Sequence, residues 1–66
     1  MVSKYIIGRL KKIREEKGMS RYRLSQLTGI HQSTLKRYED GEIQKINFEN
    51  FFKICEALEI DVEEIL

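Results

Sequence analysis

Proline and tryptophan are absent from this chain, and cysteine and histidine occur once each, as Cys55 and His31. A single cysteine closes no intrachain disulfide, and one histidine with one cysteine builds no structural zinc site. The same scarcity leaves little for catalysis. There is no phosphate-cradling glycine loop and no nucleophile–base–acid set, so the chain reads as a binding protein and not an enzyme, with no cofactor, metal or small-molecule ligand implied. Cys55 sits on an apolar face as a small core residue, and His31 reads as a helix-start or phosphate-side residue. Apolar runs long enough for a signal peptide or a membrane span are missing too, and a lone cysteine suits a reducing compartment; the expected location is the cytoplasm. Strand-type alternation, linkers and low-complexity segments are also lacking. What remains is one all-α domain over residues 1–66. A domain this small buries only about 60% of its unfolded surface, so it needs an efficient helical core, extended across a dimer.

Charge is present in both signs but unevenly placed. From Met1 to Arg37 ten cations face two acids, a net of +8; from Tyr38 onward two lysines face nine acids, a net of −7. An overall charge of +1 hides this division. Such asymmetry suggests one face for a polyanion and another kept away from it.

Apolar spacing and cap residues divide the chain into about five short helices. Ile6, Ile7, Leu10 and Ile13 recur at helical spacing in a first helix running from Ser3 or Lys4 to Lys17. Ser20 caps a second helix that ends before Gly29, with Leu24 and Leu27 turned inward; Arg23 stands where a capping-box glutamate would be. A third helix, Gln32 to Asp40, buries Leu35 and Tyr38. Asn47 caps a fourth, whose apolar positions are Phe48, Phe51, Phe52, Cys55 and Leu58. Asp61 and Glu64 form a capping-box pattern for a short terminal helix that includes Ile65 and Leu66. Gly18, Gly29 and Gly41 are placed to close the first three helices in the left-handed conformation.

The stretch from Arg21 to Asp40 is the most informative. Two helices meet there at a tight turn, with small Ser25 four residues before Gly29 and apolar anchors at Leu24, Ile30, Leu35 and Tyr38. This pattern resembles the helix-turn-helix of the lambda and 434 repressor and Cro family, the XRE-type regulators. The likeness extends over IGRLKKIREEKG (Ile7–Gly18), over Ser20–Gly41 with its closing Glu39-Asp40-Gly41, and over the last two helices from Asn47 to Leu66. Ser25 stands where alanine is usual, Thr28 where an apolar residue is common and Glu59 where glycine is usual.

The resemblance implies a lambda-repressor-like fold and a transcriptional regulator of double-stranded DNA whose third helix enters the major groove. The outward residues of that helix are Gln32, Ser33, Lys36 and Arg37. Glutamine pairs with adenine, lysine and arginine with the O6 and N7 of guanine, and serine donates or accepts. Family position carries base reading to Gln32, Ser33 and Arg37; Lys36 joins them by its face. Phosphate contacts are expected at Arg21, beside the N–H groups that follow Ser20, and by family position at Lys45 and Asn47. Asp40 and Glu42 lie where they would repel a phosphate. Arg14 and Glu39 resemble the family's interhelical ion pair.

One recognition helix reads few base pairs, so a homodimer on a palindromic operator is expected. The apolar residues near the end, Phe51, Phe52, Ile54, Ile60, Val62, Ile65 and Leu66, exceed what so small a core would hide. Phe52, Ile60, Val62, Ile65 and Leu66 are therefore assigned to the dimer contact. The helix before the turn, around Tyr22 and Gln26, lacks the acids that family activators present to polymerase, which favours a repressor. An alternative stays open: an antitoxin-type protein-interaction module on the same fold, using its acidic, aromatic C-terminal half.

Overall fold

In the computed structural model, which describes residues 4–42 and 46–65, every regular element is helical. They are α1 (Lys4–Glu16), α2 (Arg21–Thr28), α3 (Gln32–Glu39), α4 (Phe48–Ala57) and a one-turn 3-10 helix, Val62–Glu64. The described residues thus hold four α-helices, where about five short helices were expected. The difference lies at the end of the chain. Asp61 precedes the last turn without a side-chain cap, so the expected capping box does not form. Instead its backbone carbonyl accepts the Glu64 N–H at 2.9 Å and the Ile65 N–H bonds the Val62 carbonyl at 3.2 Å, both i→i+3 bonds of a 3-10 turn.

Local chemistry explains the other boundaries. The Ser20 hydroxyl accepts the Arg23 N–H at 3.0 Å, and Asn47 Oδ1 accepts the Asn50 N–H at 2.7 Å. Each satisfies a donor that the first helical turn leaves orphaned. Gly18, Gly29 and Gly41 all have positive φ. At Gly29 the requirement is conformational, because φ is 77° while nothing lies within 4 Å of where a Cβ would stand. Glu59 adopts the same region, with φ 57°. There the Ile60 N–H bonds the Cys55 carbonyl at 3.1 Å and the Glu59 N–H that of Glu56 at 3.1 Å. This is a Schellman closure built on a residue that pays a steric penalty for it.

A single core joins the elements. Ile7 and Leu10 of α1, Leu24 of α2, Leu35 and Tyr38 of α3, and Phe51, Ile54 and Cys55 of α4 are all buried. Burial pushes the Cys55 thiol above its ordinary pKa, leaving it a neutral core group. Leu27, expected to face inward, is 45% exposed. The buried stripe of so short a helix is centred on Leu24 and Thr28, and Leu27 falls on its flank, at the edge of a groove beside Met19 and Ala57.

The apolar end of the chain also packs differently from expectation. Ile65, assigned to a dimer contact, is 2% exposed, and Phe51 and Ile54 join it in the core. Ile60 and Val62 pack partly buried against that core. The cause is the way the last turn folds back under α1. The Arg9 guanidinium donates to the carbonyls of Ile65 (3.2 Å) and Glu64 (3.4 Å), directing Ile65 inward. Leu66 lies outside the described residues. Phe52, also assigned to the dimer contact, is exposed, and among the described residues the other exposed large apolar side chains are Tyr22, Leu27 and Phe48. No helix among the described residues is long and apolar enough to cross a membrane.

Candidate nucleic-acid interface

The interface begins with the turn that holds α3 against α2. Ile30 is buried in that turn, so both its backbone polar groups need partners. Two hydroxyls supply them. Ser25 Oγ donates to the Ile30 carbonyl at 2.6 Å, and Thr28 Oγ1 accepts the Ile30 N–H at 3.2 Å while donating to the Leu24 carbonyl at 2.8 Å. Serine and threonine in place of the usual alanine and apolar residue therefore close the turn with hydrogen bonds.

A second anchor fixes the other end of α3. Arg14, late in α1, meets Glu39 through two parallel hydrogen bonds, Nε to Oε2 at 2.7 Å and Nη2 to Oε1 at 3.0 Å. Its third donor reaches the Met19 carbonyl at 2.7 Å. The two side chains are only 10% and 7% exposed. Arg21, at the start of α2, brings its guanidinium to 3.5 Å from the same carboxylate. Glu39 thus ties α1, α2 and α3 together, and Arg21 stands one-third exposed at this junction.

Held at both ends, α3 buries Leu35 and Tyr38 and half-buries Thr34, while Gln32, Ser33, Lys36 and Arg37 are all exposed. At about 100° per residue these four occupy a continuous outward arc of about 140°. Lys36 Nζ bonds Asp40 Oδ2 at 2.6 Å, and Arg37 Nε lies 3.8 Å from Glu42 Oε2. The Lys36 hydrogen bond holds the Asp40 carboxyl below its ordinary pKa. Sequence reading placed these acids near a phosphate path and missed that they reach Lys36 and Arg37, the two cations assigned to base reading. The four-residue step from Lys36 to Asp40 was the available signal.

Of the residues assigned to phosphate, Arg21 opens α2, next to its N-cap Ser20. Asn47 is exposed and serves as N-cap of α4. Lys45 lies outside the described residues. His31 is the exposed N-cap residue of α3 and makes no side-chain cap hydrogen bond.

Beside this geometry, two helices joined by a short turn with an outward polar arc on the second and two further helices closing the core, the sequence matches a known family, the Cro/C1-type HTH DNA-binding domain, whose model aligns with residues 9–66. The chain belongs to that family. For this Cro/C1-type domain, a curated protein is also similar in sequence, a glutamine–fructose-6-phosphate aminotransferase (isomerizing) of Methanocaldococcus jannaschii. It is 31% identical over 61 residues, which is 92% of this chain but 6% of that protein. The chain therefore spans a small part of the relative's length.

Proposed function

We propose that this Cro/C1-type domain is a sequence-specific regulator that reads double-stranded DNA with α3 and represses by occupying a promoter. The observation that carries the reading is the arc of Gln32, Ser33, Lys36 and Arg37. It exposes two guanine-matching cations, an adenine-matching amide and a hydroxyl, on a helix whose opposite face is locked by Leu35, Tyr38 and Glu39. Phosphates on either side are held by Arg21 with the first N–H groups of α2, and by Lys45 and Asn47 at the entry to α4. Tyr22, Arg23 and Gln26 on the exposed side of α2 include no acid to meet polymerase, which supports repression over activation. The role is binding; the aminotransferase likeness, covering 6% of that protein, brings no catalytic assignment with it.

The same reading includes a two-fold dimer on a palindromic site, because one helix alone reads too few base pairs to select a promoter. With Ile65 in the core, its support is now the exposed aromatic pair of α4. The Phe48 and Phe52 rings stack at 6.0 Å and are each about half exposed, and Ile60 and Val62 remain partly accessible.

Selection of bound duplexes from a randomised library tests the proposal. Repeated rounds are expected to converge on a short motif with inverted symmetry. A pool that binds but never enriches would oppose it.

A further inference from the structure

The outward face of α3 carries its own counter-ions. Asp40 sits 2.6 Å from Lys36, and Glu42 sits 3.8 Å from Arg37. Stability does not account for this arrangement. Asp40 is the C-cap of α3, where the helix dipole disfavours a carboxylate. A lysine four residues before an acid is also the weaker order for a helical pair. The side chains are 59% and 35% exposed in one pair and 59% and 63% in the other, and exposed pairs of this kind stabilise little. Glu39 is not part of this set, since Arg14 and Arg21 hold it inward.

The pairing has a consequence for DNA. Affinity for any duplex comes mainly from cations that neutralise phosphates. A cation already facing a carboxylate contributes less to that term. To bind elsewhere it must leave the acid, which then stands uncompensated beside the backbone. At a matching base pair, guanine O6 and N7 replace the lost carboxylate oxygens. At a mismatched one nothing does.

We propose that Asp40 and Glu42 restrain the operator complex: Lys36 and Arg37 must leave them to reach guanine acceptors, so the acids weaken binding to the operator more than to non-matching DNA, where the pairs stay closed. The inference rests on the DNA reading above, and the test separates the two. The double variant Asp40→Asn, Glu42→Gln and the wild type are titrated, at one fixed salt concentration, on a duplex selected from the library and on a random-sequence duplex. Loss of two exposed pairs is expected to tighten selected-duplex binding by about five- to tenfold. Random-duplex binding should rise about twofold, so that the specificity ratio rises. A charge-matched control, Glu63→Gln with Glu64→Gln in the terminal turn, is expected to leave the ratio unchanged. Equal gains on both duplexes, a larger gain on the random duplex, no gain on either, or an equal rise in ratio for the control would each overturn the proposal. A wild type that cannot distinguish the duplexes would overturn the DNA reading itself, and this inference with it.

Discussion

Arg14 shows how much one side chain contributes in a chain of 66 residues. Its guanidinium is nearly out of water, and three of its nitrogens donate to Glu39 and Met19. Removing it strands the Glu39 carboxylate, a change that ordinarily costs about 3–5 kcal/mol. Arg21, 3.5 Å away, offsets part of that, so Arg14→Ala is expected to lower unfolding free energy by about 3 kcal/mol, read from urea midpoints. An apolar pair, Arg14→Met with Glu39→Leu, should recover most of the loss, and failure to do so would mean that the cost comes from elsewhere. The two partners lie 25 positions apart, beyond the reach of helical spacing, and only the family resemblance pointed to them. Thr28 is a second case. Its unusual polarity was visible in the sequence, but not the pairing with Ile30, because a hydroxyl's partner depends on how sharply the turn closes. Thr28→Val keeps the shape and orphans the Ile30 N–H; it is expected to cost about 1–3 kcal/mol in the same measurement.

Among the elements, helix starts and stops were legible because capping residues act within three or four positions of themselves. Ser20 and Asn47 cap α2 and α4, and Gly18, Gly29 and Gly41 take left-handed φ. The inward faces were less so. In α4, Phe48, Phe51, Phe52 and Cys55 all fit an apolar helix pattern, yet Phe51 and Cys55 are buried while Phe48 and Phe52 are about half exposed. Which side of so wide a stripe meets the core depends on how α4 is docked. The terminal turn differed for a related reason: its capping pattern is real in sequence, but it is three residues long and pinned by Arg9 from α1. Glu59 at the end of α4 offers a direct check on local strain. Its φ of 57° costs an ordinary L residue about 1–2 kcal/mol. Glu59→Gly is therefore expected to raise stability by about 1 kcal/mol after glycine's entropy is counted, and a fall in the urea midpoint would contradict the closure described for α4.

Over the whole molecule, the division of charge between a +8 first part and a −7 second part suits a protein that offers one region to a polyanion. Binding should accordingly weaken steeply with salt, with a slope set by the number of phosphates neutralised. The expected dimer belongs to this scale too. Phe52→Asp is expected to halve the protein bound per palindromic duplex at limiting concentration, measured by sedimentation. An unchanged stoichiometry of two would remove the α4 aromatic pair from the dimer contact.

The assignment of α3 to base reading meets its most direct test in Arg37 and Arg21, compared on one selected duplex and its single-base-pair variants. Arg37→Ala is expected to lose about 1–3 kcal/mol on the selected site and to become indifferent at one base pair, while discrimination elsewhere persists. Arg21→Ala is expected to weaken all duplexes alike and to reduce the salt slope by about one. If Arg37→Ala instead weakened every duplex by the same factor, α3 would be touching only the backbone, contradicting its role as the reading helix.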